Sequence, residues 1–230
     1  MHENVWYRGL PVFGLVRRLH GGSCGGSAAL VDDTAMGNAE SRAERDEEMI
    51  TSAAHGDEER LRELIALDGN INHIAKEEEY DRATPAIVAA QNNSAGCLRI
   101  LLEEADLELD RADRWGVTPL QHAARHGHVE CIEILLAAGA DPSKQSADGS
   151  TALHMAVAQD QIQCVRALLQ SAAAPFLLAA CDADGRTALQ LAENDGAADC
   201  EVLLREAVEA RELSVSVDHP DTDERLRLLV

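Results

Sequence analysis

Thr118-Pro119-Leu120-Gln121-His122-Ala123-Ala124 shares its plan with three other stretches of the chain. They are Thr84-Pro85-Ala86-Ile87-Val88-Ala89-Ala90, Thr151-Ala152-Leu153-His154-Met155-Ala156-Val157 and Thr187-Ala188-Leu189-Gln190-Leu191-Ala192-Glu193. The threonines are separated by steps of 34, 33 and 36 residues. Thirteen residues after each comes a cysteine: Cys97, Cys131, Cys164 and Cys200. Two columns in one register predict stacked supersecondary units in place of a single closed globule.

Each position has a physical reason. The Thr118 hydroxyl can cap a first helix, and Pro119 at its first position lacks only a donor that would find no partner there. Leu120 faces the core, and Ala123 and Ala124 let a neighbouring helix approach closely. Gly127 ends this helix in a left-handed conformation. The equivalent positions hold Asn93, Asp160 and Gly196, residue types that tolerate positive φ. A second helix follows, with Cys131, Ile132, Leu135 and Leu136 at helical spacing, and Gly139-Ala140-Asp141-Pro142 closes it. Between units lies a turn with Asp or Ser and Gly at fixed offsets, as in 113–118, 146–151 and 182–187.

Helix, turn, helix and turned loop in about 33 residues resembles the ankyrin repeat. Thr118 to Ala124, Gly127-His128-Val129-Glu130 and Gly139-Ala140-Asp141 carry the resemblance most closely. A degenerate front copy places Met49, Ala53, Gly56, Leu61, Leu64, Ile65 and Asn70 at 71 residues before Leu120, Ala124, Gly127, Ile132, Leu135, Leu136 and Asp141. The expected organisation is an all-α solenoid of five units, at 47–83, 84–117, 118–150, 151–186 and 187–210. A disordered segment, 1–45, precedes it and an acidic tail, 211–230, follows. The charged first loop (Lys76, Glu77, Glu78, Glu79) and the apolar insertion 176–180 depart from the pattern, and the insertion leaves the geometry between the last two units open.

Only 3% of residues are aromatic against 46% hydrophobic, so the core is built from small aliphatic side chains and cysteine. The formal charge is −21. Residues 1–31 carry a net +2, which leaves −23 for the rest. Such a surface disfavours nucleic acid and anionic lipid and favours a protein partner with a basic surface. No apolar run reaches the length of a membrane span, and the six cysteines read as reduced thiols of an intracellular, cytoplasmic or nuclear, protein.

The cysteine column suggests redox or metal chemistry, but neighbouring helices lie ~8–10 Å apart and a disulfide needs Cα atoms within about 7 Å. These cysteines read as core residues. His122 and His126 form a His-x₃-His pair with His128 as a near neighbour, but a zinc hydrolase would also need a third ligand and a general base at usable spacing, so no metal, cofactor or catalytic residue is assigned. His154 matches the family's structural histidine, which the resemblance implies bonds loop backbone and a threonine hydroxyl.

Recognition remains. The resemblance places partners across the loop tips and the exposed ends of the first helices, which here are Arg114, Trp115, Val117, Arg125, His126, Ala147, Asp148, Ser150, Gln159, Asp184, Arg186 and Asn194. Trp115 stands out, since Trp and Arg are over-represented at interface hot spots; a ring packed along its own loop is the competing reading. The expected function is a monomeric, non-catalytic scaffold or adaptor, with the regulatory subunit of an enzyme complex as a further alternative. Met36-Gly37-Asn38-Ala39-Glu40-Ser41 also fits the N-myristoylation pattern, which acts at Gly37 only if translation starts at Met36, and would make the chain a membrane-tethered adaptor.

Overall fold

Four threonines begin four short helices, as their spacing predicts. In a computed structural model that describes residues 33–75 and 82–217, the hydroxyls of Thr84, Thr118 and Thr187 accept from the backbone N–H three residues on at 3.4, 3.4 and 3.3 Å. The helices are α1 (Asp33–His55), α2 (Glu58–Ala66), α3 (Pro85–Gln91), α4 (Ala95–Leu102), α5 (Pro119–His126), α6 (Val129–Ala137), α7 (Ala152–Ala158), α8 (Ile162–Leu169), α9 (Ala174–Ala179), α10 (Ala188–Asp195) and α11 (Ala198–Val217). Among the described residues the only β-pairing is one isolated bridge between Cys181 and Thr187. No helix described is long and apolar enough to cross a membrane.

The helices form two layers. The first helices pack in the order α1, α3, α5, α7 and α10, and the second in the order α2, α4, α6, α8 and α11. Within each unit one left-handed residue turns the chain between layers: Gly56, Asn93, Gly127, Asp160 and Gly196 all have positive φ. The degenerate front unit thus turns at the position its alignment indicates. Alanines 86, 89, 90, 123, 124, 152, 156, 188 and 192 are fully buried, which brings the first helices together, while Leu61, Leu98, Ile132, Val165 and Leu204 fill the space between layers.

Two expectations at the ends of the stack need correction. Residues 33–45 are helical, not disordered: α1 begins at Asp33, through a run of Ala, Glu and Arg with high helix propensity. Its middle is anchored, because buried Asp46 accepts the Asn70 N–H at 2.9 Å and Arg45 donates to the Leu67 carbonyl at 3.1 Å. Likewise the last helix passes 210 and runs to Val217, with no Gly or Pro in that stretch to stop it. Segments 1–32 and 218–230 of the expected termini lie outside the described residues, as does the charged stretch 76–81.

The insertion at 176–180 does not break the stack. Pro175 sits in the first turn of the short helix α9, Leu177 joins the main core, and Phe176 points outward at 72% exposure. The extra helix packs against α8, α10 and α11 alike, and α10 still packs on α7.

Candidate protein-binding face

Three loops between repeats are each closed by a short polar side chain bonding within its own turn. In 113–117 the buried carboxylate of Asp113 accepts the N–H groups of Trp115 and Val117, both at 2.9 Å, while its second oxygen accepts from His122 Nε2 at 2.9 Å. In 182–186 Asp182 accepts the N–H groups of Asp184 and Arg186 at 3.0 and 2.8 Å. In 146–150 Asp148 takes the accepting role, from the Ser146 hydroxyl and from the Ser150 N–H at 3.2 Å. Each turn then completes with a left-handed glycine, Gly116, Gly149 or Gly185.

Backbone bonds then tie the loops into a row. The Ala147 N–H donates to the Trp115 carbonyl at 2.8 Å, and the Ala183 N–H donates to the Asp148 carbonyl at 2.9 Å. Side chains add a second tie. Gln121 accepts the Thr118 N–H at 2.8 Å and donates to the carbonyls of Lys144 and Ser150, both at 2.9 Å. His154 does the same work one unit later: Nδ1 lies 2.9 Å from the Thr151 hydroxyl, and Nε2 donates to the Arg186 carbonyl at 3.1 Å. Burial holds its pKa below the ordinary value, so the neutral ring this geometry requires is the stable form. The equivalent residue of the second unit, buried Ile87, has no polar atom with which to make such a bond.

The predicted contact residues divide clearly. Arg114, Ala147, Asp148 and Asp184 are exposed at the tips, and Trp115, Ser150 and Arg186 are half-buried. His126, Gln159 and Asn194 are exposed at the helix ends, with Arg125 half-buried beside them. Val117 does not belong with them: it is only 6% exposed, because its side chain turns under the loop that Asp113 closes. Trp115 satisfies part of both readings, since its ring is half-buried while the Arg114 guanidinium lies 4.0 Å above it. The Gly37 backbone lies within α1.

Charge on the row is locally tuned. Partial burial acts to raise the Asp148 carboxyl, but hydrogen bonds from Ser146 and Ser150 outweigh it and hold the group below the usual range. Arg186 is gripped by Asp182 and Asp184 at 2.8 and 2.7 Å. The rings of His122, His126 and His128 stack with centroids 6.3 and 6.0 Å apart. Although His126 is exposed at the helix end, the faces of its ring are covered by His122 and His128; that desolvation, then its His and Arg125 neighbours, push His126 down to about 4.

The cysteine column lies elsewhere. Cys97, Cys131, Cys164 and Cys200 are buried free thiols, and burial raises them to about 11, 11, 11 and 12. Such thiols stay protonated and unreactive at neutral pH. Among the described residues no group of three or more His, Cys, Asp or Glu is placed to hold a metal ion.

Sequence reasoning missed two features of this face, the backbone ladder between loops and the Gln121 latch. A signal for the latch was present in the column three residues after each threonine, which reads Ile87, Gln121, His154 and Gln190. Gln and His can both accept at one end and donate at the other.

Comparison with known proteins agrees with this architecture. A family model described as ankyrin repeats in three copies matches residues 49–146 and 139–212. The chain is 26% identical over 169 residues to the E3 ubiquitin-protein ligase KEG of Arabidopsis thaliana, covering 70% of this chain and 10% of that protein. It is 34% identical over 127 residues to the probable E3 ubiquitin-protein ligase XBOS31 of Oryza sativa subsp. japonica, covering 55% and 28%. With the B-cell lymphoma 3 protein homolog of Mus musculus it shares 33% over 137 residues, covering 58% and 31%. The matches therefore span less than a third of each of these relatives.

Proposed function

The chain belongs to the ankyrin repeat family, and from that premise we propose that it is a non-catalytic protein-binding module, a scaffold or adaptor that acts as a monomer. Ankyrin repeats mediate protein–protein interaction, and here the partner lies across loops 113–117, 146–150 and 182–186 and the ends of α5, α7 and α10. One observation carries the reading. The loop backbones are held by Asp113, Ser146, Asp182 and the ladder bonds, which leaves Arg114, Asp148 and Asp184 presented outward on a stiff row. A preorganised surface loses little entropy on binding. The charge of −21 steers a partner with a basic surface toward the molecule. The whole relatives' activities are not carried over, since the shared part is the repeat stack.

The test is affinity capture from native extract with the wild-type chain, with an Arg114→Ala/Trp115→Ala/Asp184→Ala variant, and with Glu59→Ala on the front cap. The reading expects one protein to be captured by wild type and by Glu59→Ala and lost with the loop variant. Equal capture by all three contradicts it. A second reading, a tether through acylated Gly37, rests on the pattern Met36 to Ser41. The intact mass of the native protein decides it: a chain starting at Met1 removes the tether.

A further inference from the structure

We propose that the loop row ends in a docking position at loop 182–186, which a partner protein fills with a tight main-chain turn carrying a basic side chain. The inference rests on the reading of this row as the binding face, and it names the end of the row and the backbone chemistry by which the partner attaches.

Each loop is bonded to the next by groups at fixed offsets from the helix-starting threonine. Three residues before the threonine, a carbonyl accepts from the following loop: Trp115 from the Ala147 N–H at 2.8 Å, and Asp148 from the Ala183 N–H at 2.9 Å. Three residues after it, a side chain reaches across: Gln121 donates to the Ser150 carbonyl at 2.9 Å, and His154 Nε2 to the Arg186 carbonyl at 3.1 Å. The incoming loop therefore offers an N–H and, three residues on, a carbonyl: Ala147 with Ser150, then Ala183 with Arg186. A glycine leaves room for it. A Cβ on Gly116 would lie 3.1 Å from the Ala147 nitrogen, and one on Gly149 2.7 Å from the Ala183 nitrogen.

The last unit keeps all three features. Asp184 holds the place of Trp115 and Asp148, and Gln190 that of Gln121 and His154. Gln190 accepts the Thr187 N–H at 2.9 Å, as Gln121 accepts that of Thr118, which leaves its amide nitrogen to donate. Among the described residues nothing donates to the Asp184 carbonyl and nothing accepts from Gln190 Nε2. Both residues are exposed, and a Cβ on Gly185 meets nothing within 4 Å. Unpaired main-chain and amide groups held in fixed register are a template for strand or turn addition by another chain. Charge selects the occupant. Asp184 and, at the end of α10, Asp195 are exposed, while the cation of this loop, Arg186, is held by Asp182 and Asp184 at 2.8 and 2.7 Å. A turn that carries Lys or Arg is therefore favoured.

Amide shift mapping on the full chain tests this. The probe is a cyclised peptide Asp-Ala-Lys-Gly-Arg-Thr, which copies turn 182–187 with lysine at its third position. It is expected to shift Asp184, Gly185, Arg186 and the Gln190 side-chain amide. A copy N-methylated at its alanine lacks the N–H for the Asp184 carbonyl and should bind about tenfold more weakly. Gln190→Glu keeps the oxygen that accepts from Thr187 and loses the donor, so it should weaken the peptide about fivefold despite its added negative charge. Gly185→Ala places a methyl in the open position and should weaken it at least as much. Equal binding of the two peptides, or loop 182–186 left unmoved, overturns the proposal. A wild-type dimer that Gly185→Ala disperses overturns it too, by giving the position to a second copy of this chain. The row as a whole fails separately, if the captured partner binds the Arg114→Ala/Trp115→Ala/Asp184→Ala variant as it binds wild type.

Discussion

The backbone N–H of Ala147 donates to the carbonyl of Trp115 at 2.8 Å. This bond joins residues of different repeats, so the tip that carries the tryptophan is braced by the tip that follows it. The next loop repeats the arrangement through Asp148 and Ala183. Loop-tip residues that look independent in the sequence therefore share one backbone support.

Gly149 and Gly185 have nearly the same φ, 76° and 75°, yet different surroundings. A Cβ on Gly149 would lie 2.7 Å from the Ala183 nitrogen, whereas one on Gly185 meets nothing within 4 Å. Gly185→Ala should cost about 1 kcal/mol from backbone strain alone. Gly149→Ala should cost ~2–3 kcal/mol, because it also forces the ladder apart. Urea melts of both variants check the difference, and equal costs would mean that the loops separate freely.

His154 and Gln121 tie neighbouring loops by the same pair of bonds. His154→Gln should therefore keep stability within ~1 kcal/mol of wild type, while His154→Ala should lose ~2–3 kcal/mol by leaving the buried Thr151 N–H and hydroxyl without their partner and taking from the Arg186 carbonyl the bond it accepts beside that of the Asp182 N–H. A glutamine variant as unstable as the alanine one would show that the ring's packing matters more than its hydrogen bonds.

The His126 imidazole binds a proton near 6.5 in the unfolded chain and only near 4 in the fold. Between those values the unfolded state holds more protons, so stability present at neutral pH declines as pH falls from about 6.5 toward about 4. The lowered His154 acts in the same direction. Denaturation midpoints at several pH values should fall across this window, and His126→Gln should make the decline shallower. An unchanged slope in the variant would remove His126 from the account.

Leu177 is fully buried and Phe176 is 72% exposed, though they are neighbours in α9. Leu177→Ala should cost ~2–4 kcal/mol and Phe176→Ala no more than ~0.5 kcal/mol, as thermal melts will report. The reverse order would mean that α9 docks through its other face.

The repeat was legible because it obeys local rules. Thr at the helix start, a left-handed residue between helices and alanines on the close-packed side recur at fixed offsets, so even the worn front unit turned at Gly56 as its alignment indicates. What stayed hidden was set across units. The ladder is made by backbone atoms that any residue supplies, and nothing local to Val117 marks its side chain as buried. The starts and ends of the outer helices were misjudged for a related reason: no period extends there, and helix propensity together with the anchor at Asp46 carries α1 back to Asp33. The cysteine column lies in the core, while the threonine column marks where the first helices leave the loop row.

The central claim is that this row, and not the buried columns, binds the partner. Its most direct test is calorimetric titration of the captured partner into wild type and Trp115→Ala, with helix content followed by circular dichroism. The account predicts about a tenfold or greater loss of affinity at unchanged helix content. Full affinity in the variant, or loss of helix along with binding, would contradict it.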